Sequence, residues 1–241
     1  MKKLLIVLTI LFLGHFSVFS QSQIRNGNFE LWDDLGTENE QPTHWNSFKT
    51  ASGKFSNMGK QQVMRSDDTH SGKGYSLKIF AKDFGIATAN GMVTTGQVNM
   101  GSVSASNFSN HTITRTDDDN FRAPLNIMPD SISFWAKFEC PSPSQEALMK
   151  AVIHIDFDYK DPGGDTSHIV AVATKKIKQC SWTKFTVPFT DFTHREPAYI
   201  LITFATNAVP GAGSKQDVLF IDDVELIYKK SAVRNHVESE H

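Results

Sequence analysis

The chain has 241 residues with 24 basic and 26 acidic side chains, a formal charge of −2, nine histidines, 18 phenylalanines and two cysteines. So even a balance offers no basic stripe for nucleic acid or for an anionic membrane surface. The histidines contain no His-Glu-x-x-His spacing and the cysteines no Cys-x-x-Cys pair, which excludes the familiar catalytic and structural zinc patterns.

In chain order, residues 1–20 read as a secretory signal peptide: Lys2 and Lys3, an apolar run from Leu4 to Leu13, then Val18-Phe19-Ser20 for cleavage before Gln21. The run is shorter than the ~20 residues a membrane-spanning helix needs, and no later segment reads as one. The expectation is export to the periplasm, cell surface or extracellular space. Beyond it, helical periodicity is nearly absent. Short alternating or apolar runs separated by Gly, Pro, Asn, Asp and Ser predict strands over 28–32, 45–50, 61–66, 75–82, 92–98, 131–138, 149–160, 168–178, 182–188, 199–206 and 217–228. Many strands without helices predict an all-β sandwich or barrel, with one domain over 21–228. Residues 83–130 are too long for a structureless loop in a compact domain and predict a folded excursion across one face. Residues 229–241 are polar and read as a disordered tail.

Two strands declare their faces. In 149–160, Ala151, Ile153, Ile155, Phe157 and Tyr159 form an apolar face, and Val152, His154, Asp156, Asp158 and Lys160 a wet one. In 217–228 the even positions, Val218 to Tyr228, are apolar except Asp222, a carboxylate that needs a partner or a metal there. Cys140 and Cys180 flank two strands and form either a disulfide, which export permits, or two free thiols.

Four stretches carry a resemblance: Asn26-Gly27-Asn28-Phe29-Glu30, Pro42 to Trp45, Ser71 to Leu77, and Leu219-Phe220-Ile221-Asp222-Asp223-Val224-Glu225-Leu226. They resemble galactose-binding-like jelly rolls, which include many carbohydrate-binding modules. With Thr95 to Val98, Ile132 to Phe138, Ile200 to Phe204 and the Pro210 to Ser214 loop, the mature chain resembles the PCMD carbohydrate-metabolism-domain family of exported Bacteroidetes proteins. Ala205-Thr206-Asn207 stands where family members often carry a Ser-Ser pair, so a role for that corner does not carry over. The resemblance implies a jelly-roll β-sandwich, a role in glycan handling, and a structural Ca²⁺ held by Glu30, carbonyls of the Ser71-Gly72-Lys73 loop, and Asp222. A hard cation seeking six to eight oxygens suits that set; otherwise Asp222 is capped by backbone N–H groups or a lysine.

Three further features bear on chemistry. His154, Asp156 and Asp158, spaced two apart, read as a solvated face, a sugar-contacting surface, or an acid pair about 6.6–6.8 Å apart along the strand, within the separation of an inverting glycosidase. Trp32, beside the polar loop 33–41, is the aromatic best placed as a sugar platform; Trp45, Trp135 and Trp182 read as core. There is no Gly-x-Ser-x-Gly for nucleophilic hydrolysis. The leading expectation is an exported carbohydrate binder, against a glycoside-processing enzyme and a structural component of a surface complex.

Overall fold

The structure, a computed structural model, describes residues 21–83, 88–191 and 193–229; the expected signal peptide, 1–20, and the expected tail beyond residue 229 lie outside the described residues. The strands are β1 (Trp32–Asp33), β2 (Gln41–Pro42), β3 (Val63–Ser66), β4 (Ser76–Phe80), β5 (Lys82–Asp83), β6 (Thr88–Ala89), β7 (Met92–Thr94), β8 (Gln97–Met100) and β9 (Asn110–Thr114). They continue as β10 (Ser131–Glu139), β11 (Ala147–His154), β12 (Tyr159–Asp161), β13 (Ile169–Ile177), β14 (Cys180–Pro188), β15 (Thr190–Asp191), β16 (Tyr199–Ala205) and β17 (Val218–Ile227).

Two five-stranded sheets face each other, in the orders β14-β10-β17-β4-β3 and β15-β13-β11-β16-β7. Every pairing in them is antiparallel. The chain passes repeatedly from one sheet to the other, from β4 to β7, β10 to β11, β13 to β14 and β16 to β17, which makes a jelly-roll β-sandwich. A three-stranded sheet, β12-β9-β8, lies outside the second sheet. It belongs largely to the 83–130 interval, so the expected excursion is real.

Alternation builds the core. Ile132, Phe134, Ala136 and Phe138 of β10 point inward, as do Met149, Ala151 and Ile153 of β11 and Ile200, Ile202 and Phe204 of β16. Phe134 meets Phe204 edge-on at 5.3 Å across the two sheets, and Trp45 lies 5.2 Å from Phe29. Burying one such side chain is worth roughly 1.5–3 kcal/mol. The two ends of the described chain also meet. The Gln23 side chain pairs with both backbone groups of Leu226, Val224 N–H donates to Gly27 O at 2.8 Å, and Tyr228 Oη donates to Ser22 O at 2.6 Å.

Four expected elements differ. Residues 28–32 form a turn with only Trp32 in a strand: Asn26 and Phe29 take positive φ, and the Asn26 amide bonds Leu31 and Thr43. Asparagine tolerates that conformation because its side chain bonds nearby backbone. In 45–50, Ser47 caps a 3₁₀ turn, Phe48–Thr50. The 92–98 run divides at Thr95–Gly96 into β7 and β8 of different sheets, where a Cβ on Gly96 would lie 2.5 Å from Ile113 O. The 149–160 run stops as a strand at His154 and resumes as β12, paired with β9 instead of continuing along β13.

The last strand carries the most consequential difference. Ser133 pairs with Glu225 and Trp135 with Asp222, so β17 holds one extra residue there, and Asp223 has φ +46°. Such a bulge switches which parity faces inward. Leu219 and Ile221 are core before it, Val224 and Leu226 after it. The even-numbered face expected for the whole strand therefore holds only for its second half. Asp222 sits with Phe220 on the outer side, not on a core face.

Candidate functional site

The outer faces of the two sheets are furnished differently. On the second, Leu148 and Lys150 of β11 and Thr203 and Ala205 of β16 form the floor of a cavity of about 500 Å³. Its walls come from the segment holding Phe48, Phe55 and Met58, from the 100–111 loop, and from residues 207–211; Asp161 and Pro162 close one side. Lys150 Nζ meets Asp161 Oδ1 at 2.6 Å within this lining. Thr203 Oγ1 lies 3.3 Å from Thr112 Oγ1 beside them.

The asparagines of the rim shape its loops. Asn99 donates to Ser109 O at 2.7 Å and Asn110 to Ser104 O at 2.8 Å, while Asn110 Oδ1 accepts from Ser102 N. Asn90 donates to Val209 O at 3.0 Å, and Asn207 Oδ1 accepts from Val209 N. Buried polar backbone in long loops needs such partners. The His111 imidazole has its pKa lowered, first by burial, against the hydrogen bond to Phe108 O. Polar chemistry toward a ligand is thus concentrated at Lys150, Asp161, Thr112 and Thr203, while Phe48, Phe55, Met58, Met100, Val103 and Phe108 supply apolar wall. Pattern reading missed all of these residues; the signal was only the length of the 83–130 interval.

None of the expected ligand residues lines this cavity. His154 is fully buried, with Nδ1 2.9 Å from Ile155 O and Nε2 2.9 Å from Thr114 Oγ1. Between the rings of Tyr159 and Tyr199, at 5.2 and 5.7 Å, its pKa is lowered to about 4, chiefly by burial. The expectation of a wet face is therefore corrected at His154, which the β12-β9-β8 sheet covers. Asp156 and Asp158 lie past the strand's end and are exposed, and Asp158 Oδ1 accepts from Thr116 N and Oγ1 at 2.8 Å. The regular strand assumed for the acid pair is not there, because the backbone bends at Asp156–Phe157.

Trp32 is half-buried against the core and donates Nε1 to Phe29 O at 2.5 Å, so it is no open platform. Trp135 and Trp182 are corrected in the opposite sense. Phe134 and Ala136 take the inward positions, which turns Trp135 to the outer face of the first sheet. There His70 stacks on Trp135 at 4.4 Å, Trp182 meets Phe220 edge-on at 6.2 Å, and Trp182 Nε1 donates to Asp68 Oδ1 at 2.9 Å. Lys137 pairs with Asp68 at 2.7 Å and Glu139 at 2.8 Å, and its ion pairing with Asp68 lowers that carboxyl's pKa. Cys140 and Cys180 are free thiols, and burial raises the pKa of Cys140.

Of the residues expected around a cation, only Asp222 belongs to a close group of ligand atoms, which it forms with His70 and Asp223 within 4.8 Å of one another; Glu30 stands outside that group. Glu30 Oε1 accepts from Tyr75 N at 2.9 Å, and a Cβ on Gly74, at φ +72°, would collide with that carboxylate. Asp222, 4% exposed, has Oδ1 on Asp223 N at 2.9 Å; its other oxygen lies 3.9 Å from His70 Nε2, which instead pairs with Asp223 Oδ2 at 2.7 Å. Burial first, then the charge of Asp223, pushes Asp222 up to about 6, with Glu30 adding to the rise. The Lys73 carbonyl accepts from Ser71 Oγ at 3.1 Å. Sequence reading named Glu30 and Asp222 but passed over His70 and Asp223, which only the fold brings to Asp222.

No protein-family model matches the chain, and no curated protein matches it. Solved structures do. A candidate glycoside hydrolase from Bacteroides thetaiotaomicron aligns with TM-score 0.62 and 16% identity over 87% of this chain and 71% of that one. TmCBM61, solved with β-1,4-galactotriose, gives TM-score 0.36 and 11% identity over 85% of this chain and 93% of that one. The CBM22-1 xylan-binding domain of Paenibacillus barcinonensis gives TM-score 0.34 and 15% identity over 77% and 94%. At these identities the likeness concerns the fold, a jelly-roll β-sandwich. Among the described residues no helix is long and apolar enough to cross a membrane.

Proposed function

We propose that this protein is an exported, PCMD-like carbohydrate-binding β-sandwich, and that it takes its glycan in the cleft over the second sheet. The observation that carries the reading is the cleft itself: a concavity within the usual range of ligand sites, roughly 300–1,000 Å³, floored by a rigid sheet and supplied with a charged pair and hydroxyls among apolar walls. Apolar surface suits the C–H faces of sugar rings, and Lys150, Asp161, Thr112 and Thr203 suit their hydroxyls. The fold shared with a candidate glycoside hydrolase agrees with a place in glycan handling. A hydrolytic role draws no support from the exposed Asp156 and Asp158. The test is a broad glycan array with the mature protein: reproducible binding to a defined polysaccharide is expected, and no signal at millimolar protein would overturn the reading.

The calcium reading belongs with it. His70, Asp222 and Asp223 offer ligand atoms within 4.8 Å of one another, a set that can take a divalent cation, and Glu30 adds negative charge nearby. His70, Asp222 and Asp223 would hold it, and it would tie the 70–75 loop to the last strand. The Lys73 carbonyl, engaged by Ser71, is the weakest of the expected donors. Chelation should lower the melting temperature, since loss of a native-state ligand destabilises; an unchanged curve would remove the cation.

A further inference from the structure

The cleft is more apolar than binding of bare sugar hydroxyls requires. Phe108 is 73% exposed and Val103 60% exposed, yet both are held over the cavity by a loop that Asn107 and Asn110 tie down. Phe55, Met58 and Met100 join them in the lining. Exposed apolar side chains in a concave, ordered setting mark a binding site, not scatter. Neither Trp nor Tyr contributes to the lining, so the broad, polar-tipped rings that carry most sugar stacking are missing. Methionine instead offers an adaptable thioether surface that moulds to flexible apolar groups. Most rim asparagines spend their amides on loop backbone, and the Lys150–Asp161 pair and the threonine hydroxyls gather at the sheet floor and the β12 side.

We propose that the cleft takes a glycan bearing an apolar acyl or alkyl substituent, with the substituent against Phe55, Met58, Met100, Val103 and Phe108, and the sugar toward Lys150, Asp161, Thr112 and Thr203. The inference rests on the carbohydrate reading and deepens it by naming the ligand's second chemistry. Each buried methylene multiplies affinity by about four, so a chain of several carbons dominates even when only part of it is covered.

The test uses paired methyl and octyl glycosides of glucose, galactose and mannose, below the micelle concentration, with octanol as the sugarless control, all by titration calorimetry on the mature protein. An octyl glycoside should bind at least tenfold more tightly than its methyl partner and more tightly than octanol. The Phe55→Ser/Phe108→Ser double variant should lose that preference; Phe108→Ser alone, at an exposed position, keeps the test available if the double variant unfolds. Equal binding of methyl and octyl partners, or a preference that survives Phe108→Ser and the double variant, overturns the inference and leaves the carbohydrate reading intact. Octanol binding as tightly as the octyl glycosides shows that the sugar contributes nothing, and the carbohydrate reading falls together with the inference. Absence of all binding at millimolar glycoside likewise overturns it.

Discussion

The two outer faces of this sandwich are furnished with different residues and covered to different degrees. Over the first sheet, loop 67–75 lies against the strands and consumes their polar groups. Asp68 takes Lys137 and Trp182, and His70 takes Trp135 and Asp223. Over the second sheet, the β12-β9-β8 layer fills one end, burying Val152, Leu201, Tyr159 and His154, and stands away at the other, leaving the cleft. Paired titratable residues occur at both the filled and the open places, so they do not tell the two apart. The open place is marked by the gap beneath a long excursion and by the apolar side chains exposed around it.

The largest effect should come at the filled end. His154→Ala removes a ring packed between two tyrosines and leaves the buried Thr114 hydroxyl without its partner, so stability should fall by about 3 kcal/mol in denaturant titration. A loss under about 0.5 kcal/mol would mean that this end is as open as the cleft.

Asp222→Asn should act in the opposite direction. The folded pKa, about 6, exceeds the ordinary carboxylate value of 3.8. The group thus favours folding below pH 3.8 and loses that contribution as pH rises through 6. At pH 7.5 in chelator, the amide should stabilise by about 2–3 kcal/mol. With millimolar calcium the order should reverse, because only the carboxylate gains the ion. The same stabilisation with and without calcium would show that no cation site exists.

Asp222→Asn also exposes the linkage of His154, whose folded pKa of about 4 lies below 6.5. Its neutral, buried form supports the fold above pH 6.5, and that support is lost as pH falls toward 4. In the wild type the two groups oppose each other over much of that window. In Asp222→Asn, stability should fall by about 1.4 kcal/mol per pH unit within it. Adding His154→Gln should remove most of the slope and leave the share of His111, whose pKa burial also lowers; an undiminished slope would point to another group. Smallest of all is Phe108→Ser: with no core neighbours to lose, it should change stability by less than about 0.5 kcal/mol.

Much of the fold was legible because alternation is a strong signal where one face is buried. β10, β13, β14, β16 and β17 lie within a residue or two of their expected bounds. Parity was not legible at β17, where Val218-Leu219-Phe220-Ile221 is apolar on both faces and one bulged residue decides which side Asp222 joins. Nor could the pattern of 149–160 show that β12 would leave β11 for β9, since that exchange depends on a strand 45 residues earlier. The resemblance named Glu30 and Asp222, but not the His70 and Asp223 that lie against Asp222. The cleft was not, because its residues come from six separated segments and share no spacing.

On the proposed function, ligand binding resides in the cleft and not on the 154–158 segment. This placement is tested most directly by measuring affinity for the polysaccharide found on the array with Lys150→Met and with Asp156→Asn/Asp158→Asn, each checked for its melting temperature. At least a tenfold loss is expected for Lys150→Met and wild-type affinity for the double variant. Wild-type affinity in Lys150→Met together with loss in Asp156→Asn/Asp158→Asn would contradict it.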